Sequence, residues 1–253
     1  MAMAFVAMAA FSACSLVLEN RDACPSELEI SVSGVRERTA VMVNGERVAD
    51  VERDTAFVVD IPRGEVRIVA FSGVSAADGS GFPGTDPMLC GFPIPEGLDS
   101  PPLYLGSEVV TASGERTSAR VHLRKAFCAL TLSVEGPPGW GEPYRVEVNS
   151  SSAGTAADGT PLPGRFSYRL PPEGYPAVVR LPRQPPESDL SMDVVMGDMV
   201  LRTFSLWAYL QKSGYDWDAP DLADASLTLS LSVTSFTVSS GVWKETVPMD
   251  IVI

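Results

Sequence analysis

The sequence predicts an all-β chain, and three observations carry that expectation. Apolar and polar residues alternate with a period of two over several stretches, and tight-turn dipeptides separate some of those stretches. The chain also holds 21 prolines and 21 glycines at short intervals, a punctuation suited to short strands, and no long segment has helical apolar spacing.

In chain order, Val41-Met42-Val43 and Glu46-Arg47-Val48 flank Asn44-Gly45, a pair that supplies the positive φ angles of a type I′ hairpin turn. Glu65–Phe71 has the β-branched content of a strand. The stretch from 120 to 134 changes phase: Val121 and Leu123 are apolar at odd positions, whereas Ala126, Cys128, Leu130, Leu132 and Val134 are apolar at even ones. A bulge near Lys125 would join two such halves into one strand. Gly197-Asp198 predicts a second hairpin between strands over 190–196 and 199–209, the latter alternating Phe204, Leu206, Ala208 and Leu210 with Thr203, Ser205, Trp207 and Tyr209. Leu227, Leu229, Leu231 and Val233 alternate with Thr228, Ser230 and Ser232 in a further strand.

Length and composition set limits. With 253 residues, 45% hydrophobic and 20% charged, the chain can build one large core or two of ordinary size. Acidic residues outnumber basic ones 32 to 19, and a net charge of −13 repels phosphate backbones and anionic lipid headgroups. Nucleic-acid binding and polybasic membrane attachment are therefore not expected.

Residues 1–13 form an apolar run of mostly small side chains, too short to span a bilayer and typical of the apolar part of a secretion signal. No basic residue precedes Arg21, so the usual positive n-region is missing and the true start is left open. The run ends Phe11-Ser12-Ala13-Cys14, which resembles a lipoprotein cleavage box, with Phe11 bulkier than the usual Leu. We expect a signal peptide over 1–13 and lipidation of Cys14, whose acyl chains would hold the protein to a membrane. Export makes disulfides accessible to the three other cysteines. Cys128 sits in an apolar strand and reads as a core residue, so the expected pair is Cys24 with Cys90.

Two Pro/Gly-rich stretches interrupt the pattern. Residues 73–102 read as a long surface loop; 137–143 follow a finished strand and read as a linker. The expected organisation is thus one domain over 14–136 and a second over 144–253.

Catalytic motifs are sparse. His122 is the single histidine and lies within a strand. No nucleophile elbow, paired-cysteine zinc motif or glycine-rich phosphate loop is present, so neither an enzyme nor a cofactor or metal site is expected. The densest polar patch is Gly214-Tyr215-Asp216-Trp217-Asp218 with Asp221 and Asp224. Its carboxylates suit calcium and its aromatics suit sugar stacking, but the acidic spacing matches no calcium loop, and a solvated loop is the expectation.

Glu19–Pro25 after a lipid-type cysteine, Leu103-Tyr104, Glu108-Val109-Val110, Gly114-Glu115 and Leu123–Phe127 resemble the first domain of FimB-like anchor subunits of type V fimbriae. Asp158–Phe166, Leu181–Gln184, Ser213–Trp217 and Asp221-Leu222 are similar to the second domain. The resemblance spans most of the chain from Cys14. It implies two transthyretin-like β-sandwich domains, an outer-membrane lipid anchor and a non-catalytic role at the fimbrial base, with fimbrial stalk subunits as partners. In polymerising relatives an N-terminal strand is removed by cleavage after an arginine; an anchor would keep its N-terminus, although Arg21, Arg36 and Arg38 are basic sites where cutting would release it. The alternative is a lipid-anchored glycan-binding surface protein with an exposed platform from Trp140, Tyr215 and Trp217.

At the C-terminal end, Val247, Met249, Ile251 and Ile253 fall at every second position and share one face of a strand. That segment is read either as a strand donated to a neighbouring subunit or as the last core strand, with Pro248 suiting an edge in both cases.

Overall fold

The computed structural model describes residues 25–74, 87–135, 144–170, 176–231, 235–240 and 243–248. Within them most residues lie in strands, as the alternation predicts, and the chain folds into four sheets that form two β-sandwiches.

The first sandwich uses β1 (Ser26–Ser33), β2 (Thr39–Val43), β3 (Glu46–Val51), β4 (Thr55–Ile61) and β5 (Gly64–Ser72). A one-turn helix α1 (Pro87–Cys90) and the short β6 (Phe92–Pro93) follow, then β7 (Tyr104–Ala112), β8 (Arg116–His122) and β9 (Arg124–Lys125). One sheet has the order β4-β1-β8, with β8 parallel to β1; the other runs β3-β2-β5-β7-β9. The β2–β3 hairpin turns at Asn44 (φ 50°) and Gly45 (φ 88°), the left-handed pair expected of a type I′ turn. Leu28, Ile30 and Val32 of β1 meet Val41, Val43, Val66 and Ile68 in the core between the sheets.

The opposite face of β2 and β5 is also buried. Ala40, Met42, Val69 and Phe71 point away from that core into a second apolar layer with Met88, Phe92, Leu103, Leu105, Ala126 and Ala157. Burial on both faces is why β2 reads as a continuous apolar run and does not alternate. The cover comes from the segment expected to be a surface loop. Of the stretch 73–102, residues 75–86 lie outside the described residues, but Met88, Phe92 and Ile94 are buried and Ser100 is 3% exposed. Apolar side chains among the prolines pull the segment down onto the sheets.

The second sandwich contains β10 (Phe127–Glu135), β11 (Tyr144–Thr155), β12 (Pro161–Leu170), β13 (Ala177–Pro182), β14 (Ser191–Met196) and β15 (Met199–Ser205). Helix α2 (Leu206–Lys212) precedes β16 (Ala225–Leu231), β17 (Ser235–Ser240) and β18 (Trp243–Pro248). Its sheets run β13-β10-β16-β17-β18 and β12-β11-β14-β15, with β6 also pairing β11. Leu130, Leu132, Val146, Val148, Phe166, Leu181, Met192, Leu227 and Leu229 fill the core between them. Each such side chain contributes roughly 1.5–3 kcal/mol by leaving water.

Three sequence expectations need correction. The phase change near Lys125 is not a bulge. The chain breaks pairing at Leu123 and again at Ala126, and passes from the first sandwich (β8, β9) into the second (β10). Inward-facing positions switch parity because the strand changes the sheet it belongs to. It follows that Phe127–Glu135, expected in the first domain, pairs with β13 and β16 of the second, and the expected linker 137–143 lies outside the described residues. The strand expected over 199–209 ends at Ser205. Leu206, Tyr209 and Leu210 sit at i, i+3 and i+4, and all three are buried on one helical face. Ser205 Oγ caps that helix by accepting from Ala208 N at 3.2 Å. Alternation and helical spacing overlap over so short a stretch, and the cap decides between them.

Candidate functional site

The motif residues singled out in sequence converge where the two sandwiches meet, around the crossing at Leu123–Phe127. Asp221 Oδ1 accepts the Lys125 backbone N–H at 2.8 Å, and Lys125 O in turn accepts Leu222 N at 3.0 Å. Asp224 accepts the Ala129 N–H at 2.9 Å and holds the Lys125 ammonium, which also lies 4.6 Å above the Phe127 ring. Arg124 completes the set 3.9 Å from Asp221. The two aspartates therefore clamp the crossing strand by its backbone, with charge-assisted hydrogen bonds that are stronger than neutral ones.

The loop carrying those aspartates is itself pinned. Arg183 donates to the carbonyl oxygens of Trp217, Ala219 and Pro220, so one planar guanidinium gathers three acceptors of the loop. Burial pulls the Arg183 guanidinium below its ordinary range, against the opposing charge of Asp218. Trp217 is 4% exposed and stacks on Trp207, with centroids 6.2 Å apart and planes at 18°. Tyr215 tilts against Trp217 at 4.6 Å, and its hydroxyl donates to Ala223 O at 2.8 Å. Burial raises the pKa of Tyr215, and it pushes the thiol of the fully buried Cys128 up to about 11. Cys128 is thus a neutral core residue, as its place in an apolar strand predicts.

A cleft of about 660 Å³ lies along this seam, lined in part by His122, Lys125, Asp158, Arg183 and Asp218. Several of its polar groups are turned to internal partners. Asp158 accepts from Thr160 N and Oγ1 at 3.0 and 2.6 Å, and these bonds hold its carboxyl below the usual carboxylate range. His122 Nδ1 lies 3.0 Å from Ser33 Oγ in an exposed position. Among the described residues no group of three His, Cys, Asp or Glu side chains converges to hold a metal ion. The contacts along this seam build a packed and hydrogen-bonded joint.

The other predicted residues fall as follows. Cys14, Arg21, Cys24, Trp140, Met249, Ile251 and Ile253 lie outside the described residues. Cys90 is exposed at the end of α1. Val247 belongs to β18, in register with Phe236, and β18 is the edge of its sheet. Arg36 stands over the Tyr104 ring at 4.8 Å, and Arg38 pairs with Asp50 at 2.9 Å, both on the β1–β2 connection. Sequence reasoning missed the bracing partners of the seam. Asp221 and Asp224 act on a strand almost a hundred residues earlier, a distance no local pattern encodes. The apolar residues of Phe92-Pro93-Ile94 inside a presumed loop were the one available signal.

No protein-family model and no curated protein matches this chain in sequence. Solved structures do match in fold. The fimbrial anchor protein Mfa2 from Porphyromonas gingivalis aligns with a TM-score of 0.60 and 13% identity, over 87% of this chain and 99% of that one. A candidate adhesin from Bacteroides ovatus aligns at 0.59 and 10% identity, over 88% and 95%. A candidate polysaccharide-binding protein from Bacteroides thetaiotaomicron aligns at 0.56 and 13% identity, over 88% and 98%. Over 87% of its length, this chain shares the fold of a bacterial fimbrial anchor protein, the group its sequence motifs resemble.

Proposed function

We propose that this protein is a non-catalytic anchor subunit, tethered by lipid at Cys14, that holds a fimbria at the outer membrane. The observation that carries the reading is the fold shared with a fimbrial anchor over 87% of the chain. The apolar run ending in Ser12-Ala13-Cys14 supports the lipid tether, and the clamped seam suits a subunit whose task is to hold. Fimbrial stalk subunits are the partners in this reading. The reading keeps the expected pairing of Cys24 with Cys90, which stands as a free, exposed thiol in this structure, and the segment from Val247 to Ile253 is either donated to the lowest stalk subunit or retained as the sheet edge.

The test is a Cys14→Ala variant in cells that make the fimbria. The protein should leave the membrane fraction, and fimbriae should be shed into the medium. Wild-type membrane retention, or undiminished palmitate labelling of the variant, would overturn the tether.

A glycan-binding reading has one observation in its favour, the fold shared with a candidate polysaccharide-binding protein. The aromatic platform foreseen for it does not suit the task, because Trp217 is buried and the Tyr215 hydroxyl is engaged. Micromolar glycan binding by the purified protein would revive it.

A further inference from the structure

The stretch from Pro87 to Leu103 begins and ends in the first sandwich but makes much of its contact with the second. β6 pairs antiparallel with β11, Phe92 opposite Thr155 and Pro93 opposite Gly154, and Ile94 N donates to Ala153 O at 2.7 Å. Ile94 is buried in the core of the second sandwich, whereas Met88, Phe92 and Leu103 are buried against the first. Met88 also accepts the Gly45 N–H through its sulfur, touching the tip of the first hairpin. Further on, Asp99 and Arg180 meet through Oδ1 at 3.0 Å, Arg180 Nε donates to Ser100 O at 2.7 Å, and Ser100 N donates to Arg180 O at 2.9 Å. Arg180 lies on β13, the outer strand of its sheet, so the segment also occupies backbone groups of an edge that would otherwise be open.

We propose that residues 87–103 act as an interdomain strap that couples the two sandwiches into one cooperative folding unit. A connection through the single crossing at 123–126 would leave two sandwiches with separate cores free to unfold independently. The strap places side chains of one continuous segment in both cores, so neither sandwich opens without exposing surface that belongs to the other. The fit is close. A Cβ on Gly154 (φ 155°) would stand 2.2 Å from Phe92 O, and one on Gly91 (φ 66°) would stand 2.7 Å from Thr155 O. Glycine is required at both places by neighbouring backbone as well as by conformation.

Scanning calorimetry on the mature chain tests this without any assumption about fimbriae. The wild type should melt in one transition whose calorimetric and van't Hoff enthalpies agree. Gly159→Ala is the control: it places a Cβ at φ 87° with nothing within 4 Å, so it carries backbone strain but leaves the strap alone. It should lower Tm and keep a single transition. Gly154→Ala should instead split the melt into two transitions. Asp99→Ala, a milder change at a partly exposed pair, should broaden the melt and lower the van't Hoff enthalpy below the calorimetric one. Two transitions in the wild type would overturn the proposal. So would a single sharp transition in Asp99→Ala together with a Gly154→Ala melt indistinguishable from the control.

Discussion

Trp217 shows how much one side chain's surroundings change its meaning. In sequence it is an aromatic among aspartates, suited to a sugar platform; in the fold it is buried between Trp207, Tyr215 and the carbonyl-gathering Arg183. Trp217→Ala should cost about 3–5 kcal/mol in urea unfolding, the range for removing a large core aromatic. A cost below about 1 kcal/mol would mean the indole is not packed as described. Glu147 offers a pH-dependent case. Its Oε1 accepts from Arg145 Nε and Arg169 Nε, both at 2.9 Å, and the Arg145 bond chiefly holds its carboxyl below the ordinary value of 4.5. A carboxylate lowered on folding adds stability above its unfolded value and loses it as pH falls through the folded value. Glu147→Gln should therefore be less stable than wild type at pH 7, with the gap in urea midpoint closing as pH falls below 4.5. A gap that stays constant from neutral to acid would show that the ion pairs contribute nothing.

Among the elements, β18 carries the open question of the C-terminal end. Its pairing with β17 runs from Ser240 opposite Trp243 to Ser235 opposite Pro248, and it has no further neighbour in its sheet among the described residues. Pro248, lacking an N–H, sits where such an edge tolerates it. Deleting Met249–Ile253 separates the two roles. If the segment is donated, the truncated protein should melt as wild type does and fail to retain fimbriae. If it completes the sheet, Tm should fall by several degrees, since buried apolar side chains are worth roughly 1.5–3 kcal/mol each. Normal melting with normal retention of fimbriae would rule out donation. Helix α2 makes a related point about legibility. Its Leu206, Tyr209 and Leu210 satisfy helical spacing, yet the same residues also sit in an alternating run, and the Ser205 cap tips the balance.

For the whole molecule, the net charge of −13 sets how it meets a membrane. None of residues 1–14 is charged, so a soluble chain beginning at Ser15 keeps that charge. It should remain in the supernatant with vesicles of phosphatidylserine and phosphatidylcholine even at low salt, where electrostatic attraction is least screened. Co-sedimentation would point to a protein surface that binds lipid directly and would remove the need for an acyl tether. The two sandwiches are also joined more firmly than the sequence suggests. Asp221 and Asp224 clamp the crossing strand, and the strap at 87–103 enters both cores.

What the sequence determined by itself is local. The Asn44-Gly45 turn, the Gly197-Asp198 hairpin, the β-branched strand at 65–71 and the alternating one at 227–231 follow from backbone conformation, side-chain shape and side-chain period, which a few neighbouring residues settle. The burial of Cys128 was legible for the same reason. Which sheet each strand joins was decided only by tertiary structure. Phe127–Glu135 has the same alternation in either sandwich, and its partners β13 and β16 lie some 45 to 100 residues away. The joint between the sandwiches was equally hidden, because Asp99, Arg180, Asp221 and Asp224 acquire their roles from partners far along the chain. A carboxylate facing solvent and one clamping a backbone N–H look alike until the fold brings the donor within hydrogen-bond reach.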